Sequence, residues 1–180
     1  MKKSILSAFS LMLLIIFAQA CSETDSVIFG KWKLNLEKST DIAPWRYRQL
    51  ELEIVQNENG LQLIHNWKHR RHGDWVDTLK LVPGGDTVKS IIRSPLWVEN
   101  WFMGVLSKEN SVRTTVGEWE KPGKYLKTST EQMVEISQGE TTIRTYRSYQ
   151  ISRHGNELTV IEKRSSRPAE IRLVFDRITE

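Results

Sequence analysis

The chain has 180 residues, 39% of them hydrophobic, with a formal net charge of +4, seven tryptophans and a single cysteine. Beyond residue 20, 24 lysines and arginines stand against 22 acidic residues, a net charge of +2, which is too slight an excess for a surface that grips duplex nucleic acid. A lone cysteine excludes a disulfide framework, and the length beyond residue 20 suits one domain that buries most of its apolar surface.

The N-terminus reads as an export signal of the bacterial lipoprotein type. Lys2 and Lys3 supply the positive start, Ile5 to Phe17 the apolar segment, and Ala18-Gln19-Ala20 a small-residue cleavage site directly before Cys21. In an oxidising envelope a solitary thiol at this position is better explained by lipidation than by pairing. The same tripeptide also suits ordinary signal peptidase. The uncharged run from Ser4 to Ser22 approaches the roughly 20 residues of a membrane anchor, although its serines and small residues argue against that use. In every case Lys2 and Lys3 stay cytoplasmic and the residues after Cys21 are exported. Ser22, after the lipidated cysteine, resembles outer-membrane lipoproteins more than those retained by Asp at the inner membrane. The expected organisation is a signal peptide over 1–20, a lipidated cysteine and tether over 21–28, and a β-domain over 29–180. Residues 22 to 27 are polar and reach about 20 Å when extended.

From Phe29 the hydropathy alternates with period two and no helical period is sustained. Strands are predicted over 29–34, 47–56, 61–71, 75–82, 87–93, 97–106, 111–119, 125–136, 141–151, 157–164 and 170–178, some of which merge. Between them stand turn sequences such as Asn57-Glu58-Asn59-Gly60, Pro83-Gly84-Gly85-Asp86, Lys121-Pro122-Gly123 and His154-Gly155-Asn156. Short connections pair each strand with its predecessor. The expectation is therefore an all-β, antiparallel up-and-down barrel of about 8–10 strands, since closure removes the exposed edges of a long meander. A β-sandwich is the alternative.

Gly30-Lys31-Trp32, at the start of the first strand, resembles the Gly-x-Trp signature of lipocalins and lipocalin-like barrels. The stretch from Gly30 to Ser39 is similar to the opening of small bacterial lipocalin-like secreted proteins, as are Leu158-Thr-Val-Ile and Arg172-Leu-Val-Phe-Asp-Arg177 near the end. The resemblance implies that Trp32 closes the barrel floor beneath a basic side chain from a late strand. Arg177, or failing that Arg172, fills that place through a cation–π contact.

Alternating strand direction then orders the interior. With Trp32 at the floor, 61–71 rises from Leu61 and Leu63 to His65, Trp67, His69 and Arg71. Strand 97–106 descends through Trp97, Glu99 and Trp101 to Met103 and Val105, and 141–151 rises from Ile143 to Arg147 and Tyr149. These assignments imply an apolar floor below a polar, aromatic mouth, with a cavity between. Its ligand-binding residues are predicted to be His65, Trp67, His69, Arg71, Trp97, Glu99, Trp101, Arg147 and Tyr149. The aromatic rings offer apolar walls, and Arg71 and Arg147 meet an anionic head group.

His65, His69 and His72, followed by Asp74 and Asp77, invite a zinc or copper site, but on a strand His65 and His69 stand about 13 Å apart, too far to share one ion. No metal and no cofactor are therefore expected. Nor does any nucleophile elbow, zinc-protease motif or phosphate loop occur, and the chain is read as non-enzymatic. Two functions stay open. One is a binder of a small amphiphilic or lipid-like ligand, anchored in the cell envelope, with the outer membrane facing the periplasm as its place. The other is a packed accessory lipoprotein whose outer surface meets another envelope protein.

Overall fold

A computed structural model describes residues 27–40, 47–69, 74–93, 106–136 and 138–179. Cys21, Arg71, Trp97, Glu99 and Trp101 lie outside the described residues, as does the side chain of His69. The described chain is all strand and turn: β1 Gly30–Leu34, β2 Tyr47–Asn57, β3 Gly60–His69, β4 Asp74–Leu81, β5 Val88–Ile91, β6 Leu106–Ser107, β7 Val112–Lys121, β8 Tyr125–Ile136, β9 Gly139–Ile151, β10 Glu157–Arg164 and β11 Arg167–Arg177. Period-two patterning decides these elements. In β8, Leu126, Thr128, Thr130, Gln132 and Val134 are buried, and the residues between them face outward.

All ladders are antiparallel, and one sheet runs β4-β3-β2-β1-β11-β10-β9-β8-β7-β5, with β6 on β8. The first strand joins the last, Trp32 opposite Arg177, so the meander curls back on itself. The remaining gap lies between the end strands β4 and β5, with β7 next to β5. Arg113 of β7 donates 3.1 Å and 3.3 Å bonds to the two carboxylate oxygens of Asp77 on β4, and a 2.9 Å bond to the Thr78 carbonyl. Nearer the floor, Pro83 forms a parallel bridge with Gly117, and the Gly84 amide donates to the Gly117 carbonyl. The barrel is thus nearly closed, by side chains and one bridge where no ladder runs, which shields the edges a sheet otherwise exposes.

Gly117 marks how closely this seam packs. A β-carbon there lies 2.3 Å from Leu81 Cδ1, and Leu81 is buried. Gly117→Ala is expected to lower the unfolding free energy by about 1–3 kcal/mol through overpacking, read from urea denaturation. A midpoint equal to that of the parent chain refutes close packing at the seam.

Strand direction departs from the sequence-based count in one respect. Most of predicted strand 97–106 lies outside the described residues, and β5 pairs directly with β7, so nothing intervenes in the ladder between them. Every strand from β7 onward consequently runs opposite to the expected direction. In β9, Ile143 lies toward the mouth and Tyr149 toward the floor, reversing the gradient predicted for that strand. The cause is parity, because one strand more or fewer inverts all that follow.

The main core fills the floor and extends toward the mouth along β1, β2 and β3 through Leu34, Leu50 and Trp67. Trp32, Leu52, Ile54, Leu61, Leu63, Leu79, Leu81, Leu126, Tyr149, Leu158 and Phe175 belong to it, and a smaller cluster of Val134, Ile143 and Ile136 sits toward the mouth.

Candidate functional site

The floor is built around Trp32, which is 0% exposed and donates from its indole Nε1 to the Ile28 carbonyl at 2.9 Å. The Arg177 guanidinium lies over the ring, 4.1 Å from its centroid, while Arg172 is exposed. Arg177 is held there by three backbone carbonyls, those of Gly155 at 2.6 Å, Phe29 at 2.9 Å and Val27 at 2.6 Å. Desolvation pushes its pKa below the ordinary value, but an arginine so placed keeps its charge at neutral pH. Gly30 permits this approach: its φ is +120°, and a β-carbon there sits 3.0 Å from Arg177 Nη1.

Above the floor the interior becomes charged. Beside the Arg113–Asp77 pair at the seam, Arg147 Nε donates to Glu162 Oε2 at 2.7 Å and Arg164 Nε to Glu162 Oε1 at 2.6 Å. All five of these side chains are buried. The register explains their meeting, because Glu162 faces Arg147 across the β9–β10 ladder and both occupy inward positions. Thr128, Thr130 and Thr145 add buried hydroxyls, and Gln132 donates to Ser107 at 2.9 Å. Charges so deep in a barrel are stabilised only by such pairing, since desolvation costs several kcal/mol per ion.

The two ionic groups border one interior cavity. His65, Trp67 and Asp77 form one side and Arg147 and Glu162 another, with Leu52 and Phe175 completing the lining. Its free volume is about 20 Å³, room for a single water. Of the predicted ligand-binding residues, the structure therefore brings His65, Trp67 and Arg147 together. Tyr149 is buried in the adjoining core instead, and the others lie outside the described side chains.

Arg113, Glu162 and Arg164 were not singled out from sequence, and Asp77 only as a conceivable metal ligand beside the histidines. A usable signal existed. Three of the four charges share the inward parity of apolar neighbours, Leu79 and Leu81 for Asp77, Leu158 and Val160 for Glu162 and Arg164, whereas Arg113 shares its face with Thr115 and Gly117. A charge at an inward strand position implies an opposite charge beside it. Among the described residues, no three His, Cys, Asp or Glu side chains converge as metal ligands do.

Fold and interior together define a nearly closed antiparallel β-barrel with an apolar, arginine-capped floor and a buried ionic layer. No family model matches the chain, and no curated protein matches it. Among solved structures it is similar to secretory abundant heat soluble protein 4 from Ramazzottius varieornatus, at 14% identity over 86% of this chain and 96% of that one, with a TM-score of 0.47. It is also similar to the fatty-acid-binding protein from Manduca sexta, at 9% identity over 84% and 99% of the two chains, with a TM-score of 0.44. The barrel assignment rests on the strand pairing of the chain itself.

Proposed function

We propose that this protein is a non-enzymatic lipoprotein of the cell envelope, anchored through Cys21, that binds a small anionic amphiphile inside its barrel. The observation that carries the reading is the meeting of His65, Trp67 and Arg147 around one cavity, between an apolar floor and a layer of buried guanidinium groups. An aliphatic tail suits the leucines of that lining. A carboxylate or phosphate suits Arg147, whose planar donors accept an anion in place of, or beside, Glu162.

One observation favours a second reading. Cavities that hold small ligands measure about 300–1,000 Å³, so a ligand enters only if the lining side chains part, and its affinity is reduced by that rearrangement. A barrel that stays packed instead acts through its outer surface, on another envelope protein.

Titration of the mature chain with oleate, followed by tryptophan fluorescence, separates the two. The binder reading expects a saturable change, with Arg147→Met weakening oleate by about 10-fold or more as a charged hydrogen bond is lost. Mass spectrometry of small molecules carried through purification supplies the natural ligand class. Unchanged fluorescence and a chain free of small molecules overturn the binder reading and leave the packed one.

A further inference from the structure

We infer that the outer wall of the barrel carries a second binding site, a basin over Ser148 that takes a neutral sugar. It is separate from the interior cavity and does not depend on the binder reading. Outward positions of β8, β9 and β10 form a grid in which Ser148 stands between Lys127 and Ile161. One row nearer the mouth, Tyr146 stands beside Lys163, and one row nearer the floor Tyr125 faces Gln150. A small residue amid long ones leaves a hollow between them. Its free volume is about 370 Å³, against about 20 Å³ inside the barrel, which brings it into the size range of small-molecule sites.

The lining has the two kinds of surface that a pyranose presents. Tyr125, Tyr146 and Ile161 offer apolar area to its C–H face, and the Ser148 hydroxyl and the lysines reach its hydroxyl groups. Both rings are held in place before a ligand arrives, which lowers the entropy lost on binding. The Arg144 guanidinium, which Glu131 holds at 2.5 Å, donates to the Tyr146 hydroxyl, and Lys127 Nζ lies 5.4 Å from the centre of the Tyr125 ring. Charge decides the class of occupant. Both lysines that line the basin are already matched, Lys127 by Glu120 and Lys163 by Glu170 at 2.5 Å. Matched pairs exert little field on an anion. Each pair does set a donor beside an acceptor, and a sugar hydroxyl uses both. An aliphatic chain gains less here, since the basin is open to water along one side and rimmed by ions.

The chain from Cys21 onward contains all the described strands. With Cys21→Ser, it is titrated with cellobiose and with N,N′-diacetylchitobiose while its backbone amides are followed by NMR. Saturable shifts are expected with at least one of the two, centred on Lys127, Tyr146, Ser148 and Ile161, and unchanged when the salt is raised several-fold. Tyr146→Ala is expected to weaken that binding about 5-fold or more through the lost ring face. Ser148→Tyr fills the hollow with a residue that strands favour, and is expected to abolish the shifts while keeping the circular dichroism of the parent and its response to oleate. The interior and the outer wall are thereby read separately. No saturable shift with either sugar, or parent-like binding by Tyr146→Ala and Ser148→Tyr, overturns the sugar site. Binding that weakens with salt makes the ligand an anion instead, and the same amides shifting with protein concentration alone assign the basin to a second copy of this chain; either result overturns the inference.

Discussion

Trp32→Ala is expected to lower the unfolding free energy by about 3–5 kcal/mol, the range for removing a large buried aromatic. The site has little capacity to collapse, because Trp32 lies at the junction of β1 with β11 and β2 and no part of it reaches solvent. Three further losses accompany the cavity. The indole bond to Ile28 disappears, the Ile28 carbonyl loses its donor, and Arg177 loses the ring face beneath its guanidinium. Urea denaturation followed by circular dichroism measures the change. Trp32→Phe separates the contributions, since it keeps an aromatic face and most of the volume but not the indole donor, and is expected to cost well under half as much. If Trp32→Ala unfolds at the parent midpoint, the ring is not what closes the floor.

The second large effect lies in the ionic layer. Glu162→Gln is expected to cost about 3–5 kcal/mol, because it removes the carboxylate that two buried guanidinium groups share while leaving both in place. The like charges of Arg147 and Arg164 then meet across a neutral amide that cannot balance them. Glu131→Gln offers the matching control. Its ion pair with Arg144 is open to solvent and is expected to change stability by less than about 0.5 kcal/mol. Replacing the whole group, Arg147→Met with Glu162→Leu and Arg164→Met, is expected to be neutral or stabilising by about 1–4 kcal/mol. That triple variant also bears on function: a stable barrel that no longer responds to oleate assigns the guanidinium groups to the ligand rather than to the fold. Equal loss in Glu162→Gln and Glu131→Gln sinks the claim that the layer is dry.

Much of the architecture was legible because strands announce themselves one at a time. Strand 157–164 was predicted with the bounds of β10, and 125–136 with those of β8, since no helical period runs through either and turn residues mark both ends. The inward faces of β3 and β9 followed from the same period, which is why His65, Trp67 and Arg147 were chosen and why all three prove buried. Placement along the barrel axis was harder to read. The position of Tyr149 depended on counting strands correctly, and a single miscounted strand moved it from mouth to floor.

By itself, then, the sequence determined what is local: which residues form strands, where the chain turns, which side chains face inward, and that Gly30 and Trp32 open the first strand. Only the tertiary structure decided which of those inward residues meet. Asp77 and Arg113 are 36 positions apart and touch because the sheet curls until its β7–β5 end meets β4, a relation that exists only after every intervening strand has taken its register. Period two tells a side chain which face it occupies and nothing about its neighbour across the barrel. That neighbour is set by closure, and closure is a property of the whole sheet.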